Sequence, residues 1–286
     1  MAKLYLHLGP PKTATTALQK SLLADSSSFV YLGKMHTRGQ CPAVSTTLHD
    51  AVAGKDIDEN KASEALRGIR EVIDSGKHAV ISEEMLLIDG EIAHQDKIRR
   101  LIRLLEDIPV VAIICLRDPV DALPSLYQER YRKLPFSEKQ SFSSFLRGNQ
   151  AQVFDYAQLS GLIADFDEIR TVRFEDLVGG SATLQDIFGE DFGNDASVRL
   201  DRTNVGAQGT AGRHIPPVRL RDVVKSTGAV PLSLKDKLRS IGFVRSIWRR
   251  ISSFEFAGGT EKDLIVPEQL AGELRQKWIC LRDKGG

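Results

Sequence analysis

LHLGPPKTATTALQKSL, residues 6–22, sets a run of β-type residues, a Gly-Pro-Pro turn and a helix opening side by side. Residues 3–8 alternate as a strand does and stop at Gly9-Pro10-Pro11, where the chain must turn. Residues 15–24 then read as a helix, with Ala17, Leu18 and Leu22 on one apolar stripe and Asp25-Ser-Ser-Ser as its stop. A strand, a tight turn and a helix start make an anion site, because the first N–H groups of a helix have no partner within it. The segment departs from the phosphate-binding pattern G-x-x-x-x-G-K-[ST]. Aligned on Gly9, Ala14 stands at the second glycine, Thr15 at the lysine and Thr16 at the hydroxyl position. The positive charge, Lys12, comes instead at the front of the loop.

Working outward, the same alternation of strand and helix recurs. A short strand is expected at 29–32, a loop at 33–60, a helix at 61–74 and a buried strand at His78–Ser82. A helix at 95–106, the strongly apolar strand Val110–Leu116, a helix at 120–132, a second loop at 134–150, a helix at 156–166 and a strand at 168–174 follow. Strands separated by helices pack as a parallel sheet covered on both faces. The expected fold is therefore α/β: a P-loop-like central parallel sheet flanked by helices. Beyond residue 200 the pattern becomes helical, at 218–225, 233–251 and 267–281. One domain over 1–286 is expected, with an α/β nucleotide-binding core at 1–200 and a helical C-terminal part at 201–286.

Composition narrows the partners. The chain has 286 residues, 42% hydrophobic and 27% charged, with a formal net charge of +1. That balance gives no general drive towards nucleic acid or membrane, so a cationic site must arise from local clustering. Cys41, Cys115 and Cys280 are widely spaced and odd in number, which supports neither a disulfide framework nor a zinc site. A reducing cytoplasm is the expected setting, and the N-terminus lacks a signal-peptide core.

A lysine ahead of the helix lies beside a bound anion, where it can reach the bridging oxygen between a leaving phosphate and a transferred group. Thr13, Thr15 and Thr16 add hydroxyl donors. GPPKTATTALQ resembles the 5′-phosphosulfate loop of sulfotransferases that use 3′-phosphoadenosine 5′-phosphosulfate (PAPS), with the pattern P-K-x-G-T-T-x-L-Q. Pro11, Lys12, Thr15, Thr16, Leu18 and Gln19 match, and Ala14 replaces the glycine. The resemblance implies that Pro11 to Thr16 hold the 5′-phosphosulfate, with adenosine 3′,5′-bisphosphate as product.

Two further segments carry the resemblance to about residue 180. ICLRDPVDALPSLYQERYRK (114–133) is similar to the family's 3′-phosphate segment, which implies Arg117 and Ser125 as ligands of that phosphate. A planar guanidinium at the carboxyl end of a buried strand suits a phosphate monoester. TVRFEDL (171–177) resembles the V-x-[YF]-E-D-L strand end, with Glu175 and Asp176 capping the next turn. In TNVGAQGTAGR (203–213), at the position of the family's Gly-rich basic loop, Arg213 is a further candidate for the 3′-phosphate.

Sulfuryl transfer to a hydroxyl needs positioning, charge stabilisation and removal of the acceptor proton. HAVISEEMLL (78–87) ends a strand on Glu83-Glu84 and resembles the family's segment that supplies a glutamate base. Alignment on Ser82 favours Glu84, and the strand end favours Glu83. His7 reads as a strand residue packed beside the loop, and His36 and His49 as loop residues. The expected acceptor is a sugar, lipid or small metabolite approaching between 33–60 and 134–150, and no metal is required. The competing readings are a nucleotide kinase or NTPase with a degenerate P-loop, and a sulfotransferase-like module that binds without catalysis. KLRSIGFVRSIWRRISSF (237–254) sets four arginines among apolar residues at helical spacing. It reads as a packed helix with a cationic face, or as a contact to membrane or polyanion.

Overall fold

The structure is a computed structural model, described for residues 1–13, 15–22, 27–33, 42–54, 59–88, 92–179, 183–192, 218–219, 255–256 and 264–282. Five parallel strands form its sheet: β1 (Leu4–His7), β2 (Phe29–Tyr31), β3 (His78–Ser82), β4 (Val110–Leu116) and β5 (Glu168–Arg173). Their spatial order is β2-β3-β1-β4-β5. Tyr5 pairs with Val80 on one side and Val111 on the other, so β1 is central. β4, seven residues and wholly buried, needs no polar face because both of its sides are covered. The expected parallel α/β sheet is thus present, with strands β3 and β4 at their expected bounds.

Alternation along the strands divides the core. Tyr5, Val80, Val111, Ile113, Cys115 and Val172 join Leu18 of α1 (Thr15–Ser21), and Leu22 just after it, in one buried cluster. The intervening residues, among them Leu4, Leu6, Ile81, Ala112 and Ile114, are equally buried on the opposite face. The remaining helices come in chain order. α2 is Pro42–Val52, α3 Glu59–Asp74, α4 His94–Leu104, α5 Pro119–Arg130, α6 Phe136–Lys139, α7 Phe142–Leu146 and α8 Asn149–Gln152. α9 is Tyr156–Leu162, α10 Phe174–Val178, α11 Leu184–Phe188 and α12 Glu268–Arg282.

Three expectations need correction. The 33–60 segment is not all loop, because Val44, Leu48 and Val52 recur every four residues and are buried on one face of α2. The 134–150 segment is not a loop either: it contains α6, α7 and the start of α8. The helix expected from 218 begins instead as a strand, Val218–Arg219, paired antiparallel with Glu255–Phe256. The rest of that helix, the helix expected at 233–251 and the whole 237–254 segment with its Arg cluster lie outside the described residues.

The chain forms two compact units. The first comprises Met1–Ala122, Gln152–Gln208 and Glu268–Gly286, and so holds the whole five-stranded sheet and α12. The second comprises Leu123–Ala151 and Gly209–Pro267, with the boundary falling inside α5. Within the second unit Tyr127 packs against Tyr131, Phe142 and Phe145. No helix among the described residues is long and apolar enough to cross a membrane.

Candidate functional site

Three of the segments singled out in the sequence end neighbouring strands at one end of the sheet. After β1 the chain keeps two ladder bonds, Leu8 N–H to Ile113 O (3.0 Å) and Glu83 N–H to His7 O (3.3 Å). The loop of residues 9–13 therefore rises between the carboxyl ends of β3 and β4, where ligands of open α/β sheets bind.

The loop is tightly built. Thr13 donates to Pro10 O at 2.7 Å and lies against the Cys115 thiol, so its hydroxyl holds the turn. Gly9 is required by crowding: a β-carbon there would stand 2.6 Å from His7 Nε2 and 3.1 Å from Thr13 Oγ1. Lys12 has φ +71°, the one positive φ of a non-glycine residue among the described residues. A left-handed conformation costs an L-residue about 1–2 kcal/mol. The Lys12 carbonyl accepts from Arg117 Nη1 at 2.7 Å, across 105 residues of sequence. Two sequence-derived cationic residues are thereby brought together.

Arg117 is itself fixed. Its Cζ lies 4.3 Å from the ring centroid of Phe174, a cation–π contact. The hydroxyl of fully buried Tyr156 accepts from Arg117 N–H and donates to Arg117 O, both at 3.0 Å. Asp118 caps α5, accepting from Val120 N–H at 2.8 Å, and Pro119 opens the helix where its missing N–H costs nothing. Arg275 of α12 also holds Asp118, at 2.8 Å. The Arg-Asp-Pro turn is thus anchored from the sheet, from α9 and from α12.

On the other side of β1, Ser82 collects contacts. Gln19 of α1 donates to its carbonyl at 2.8 Å and Tyr31 Oη at 3.3 Å, while its hydroxyl meets His7 Nδ1 at 2.9 Å. The glutamine of the loop pattern therefore ties α1 to the end of β3. His7 lies fully buried beneath the loop, and burial pushes its pKa down from 6.5 to about 4. Its Nε2 has no hydrogen-bond partner, nor has Thr15 Oγ1, although both atoms are buried. Buried polar atoms without partners are uncommon and mark places where water or a ligand completes the structure.

Glu83 and Glu84 differ in placement. Glu83 is 9% exposed; one oxygen accepts from Met85 N–H at 3.3 Å and the other faces Ser45 of α2 at 3.5 Å. Glu84 begins the short 3₁₀ turn Glu84–Leu86 and is half-buried. Among the other expected residues, Pro11 is buried, Lys12 half-buried, Thr15 buried and Thr16 exposed. α1 is only seven residues long. Ser125 is half-buried on α5, in the second unit. Ala14 and Arg213 lie outside the described residues, as do His36 and Cys41, whereas His49 sits on α2 and contacts Asp50 at 3.3 Å. Glu175 and Asp176 form the first turn of α10. Sequence reasoning did not single out Tyr156 or Phe174, although the phenylalanine stands directly before Glu175-Asp176 in a segment already noted.

Neither the protein-family models nor the curated proteins contain a match to this chain.

Proposed function

We propose that the chain is a PAPS-dependent sulfotransferase, acting on a hydroxyl of a sugar, lipid or small metabolite. The observation that carries this reading is the bond between Arg117 and the Lys12 carbonyl at the ends of adjacent strands β1 and β4. Sequence segments matched separately to the phosphosulfate loop and the 3′-phosphate segment meet there, and the Glu83-Glu84 segment leaves β3 on the other side of β1. The unpartnered Thr15 hydroxyl at the start of α1 adds a donor without a protein acceptor.

In the reaction, the sulfur–oxygen bond to the donor's phosphate breaks as a sulfur–oxygen bond to the acceptor forms. Lys12 offsets the charge that develops on the leaving phosphate oxygen, while Thr15, Thr16 and the loop N–H groups hold the phosphosulfate. Arg117 faces the 3′-phosphate. A carboxylate, Glu84 or Glu83, takes the acceptor proton. Glu84 is the more exposed of the two, and Glu83 accepts from Met85 N–H and faces Ser45. The free thiols of Cys115 and Cys280 agree with a reducing, cytoplasmic setting.

The test is formation of adenosine 3′,5′-bisphosphate from PAPS in the presence of saccharide, lipid and phenol acceptors, with and without Mg²⁺. Acceptor-dependent release that needs Lys12 and no metal supports the reading. Phosphoryl transfer from Mg-ATP instead supports a degenerate P-loop kinase. Tight bisphosphate binding without turnover supports a binding module.

A further inference from the structure

A left-handed lysine persists only where its surroundings impose the conformation. Glycine would adopt it freely, yet the loop carries Lys12 there at φ +71°. The contact at hand is the Arg117 guanidinium, which donates Nη1–H to the Lys12 carbonyl at 2.7 Å. A charged donor at that distance makes a strong hydrogen bond, and the peptide plane that accepts it is the one whose orientation follows Lys12's backbone. Arg117 in turn is held at both ends. Tyr156 Oη closes on its backbone N–H and C=O at 3.0 Å each, and the face of Phe174 lies 4.3 Å from its Cζ.

We propose that Arg117 is a positioning residue for Lys12, acting through the loop backbone, with Tyr156 and Phe174 as the supports that aim it. This rests on the reading of residues 9–16 as the phosphosulfate loop and adds a role distinct from holding a 3′-phosphate. A guanidinium has five N–H donors; the one on Lys12 shapes the loop before any ligand arrives. The sequence order of supports is then Lys12, Arg117, Tyr156 and Phe174, drawn from the ends of β1 and β4, the start of α9 and the start of α10. Loosening either support transmits to the lysine without touching the ligand.

The two roles separate experimentally. A residue that only binds the 3′-phosphate is silent towards a nucleotide lacking that group, whereas a residue that shapes the loop affects both. Affinities for adenosine 3′,5′-bisphosphate and adenosine 5′-monophosphate are measured by calorimetry on the wild type, Arg117→Lys, Phe174→Leu and Tyr156→Phe. Ligand-free crystal structures of the wild type and the first two variants report the φ of Lys12. The expected result is weakening of both nucleotides by tenfold or more in Arg117→Lys and by a smaller, parallel factor in Phe174→Leu. Lys12 leaves the left-handed region in Arg117→Lys. Weakening confined to the bisphosphate, with Lys12 still near its wild-type φ, overturns the proposal and leaves Arg117 a ligand only. A wild type that binds neither nucleotide sinks the phosphosulfate reading, and the φ of Lys12 in the variants still decides the positioning role. Where Arg117→Lys does not fold, the same φ and affinities in Phe174→Leu decide it.

Discussion

Acidification should destabilise this protein through His7, and by an amount the structure defines. Burial lowers the pKa of His7 to about 4 in the folded state, against 6.5 for the exposed ring. The folded pKa is the lower one, so between the two values the unfolded chain binds the extra proton. Stability from this residue is complete above pH 6.5, falls as the pH drops, and has largely gone at about pH 4. A difference of about 2.5 units, at 1.36 kcal/mol each, corresponds to roughly 3 kcal/mol. Other groups contribute to the pH dependence: burial also lowers the pKa of His78 and His94. A comparison with His7→Asn removes them, since they are common to both proteins and the asparagine keeps a polar group facing Ser82. Urea unfolding of the two at intervals from pH 4 to pH 8 supplies the curves. The wild type should lose about 3 kcal/mol more than the variant over that range. Parallel curves would refute the placement of a neutral, buried histidine under the loop.

Other outcomes follow from the same geometry. Gly9→Ala drives a methyl group to 2.6 Å from His7 Nε2, so overpacking should lower stability by about 1–3 kcal/mol, read as a fall in melting temperature. Lys12→Gly relieves the left-handed residue and should raise stability by about 1 kcal/mol in urea while abolishing turnover of PAPS; a loss of stability would contradict the strain. Of Glu83→Gln and Glu84→Gln, one should cut turnover about 10²- to 10⁴-fold with bisphosphate affinity unchanged. Wild-type turnover in both excludes the pair as the base. Gln19→Leu removes the donor to Ser82 O and should cost about 1 kcal/mol, measured by the unfolding midpoint.

The parallel sheet was legible because β3 and β4 are short apolar runs bounded by turn residues, and their lengths leave no room for a helix. The loop was legible because Gly9, Pro10 and Pro11 cannot continue a strand. α2 was harder to read. Its Ser45-Thr46-Thr47 centre has weak helix propensity, yet the spacing of Val44, Leu48 and Val52 carried the signal. The helices between 136 and 152 span four or five residues each, too few for a periodic pattern to emerge. Lys12 and Arg117 were readable as candidates from their places at strand ends. Their bond was not, since it joins a backbone carbonyl to a side chain across 105 residues. Tyr156 was read only as a helix residue, because its role depends on where α9 meets the end of β4. The left-handed backbone of Lys12 had no sequence signal, as the residue that favours such a conformation is glycine.

The most direct measurement is a calorimetric titration of the purified protein with adenosine 3′,5′-bisphosphate in the absence of Mg²⁺, beside Mg-ATP, on wild type and Arg117→Ala. A donor site built on Lys12 and Arg117 predicts tight binding of the bisphosphate alone, weakened about tenfold to a hundredfold when the guanidinium is removed. Preference for Mg-ATP, or an affinity indifferent to Arg117, would contradict the sulfotransferase assignment.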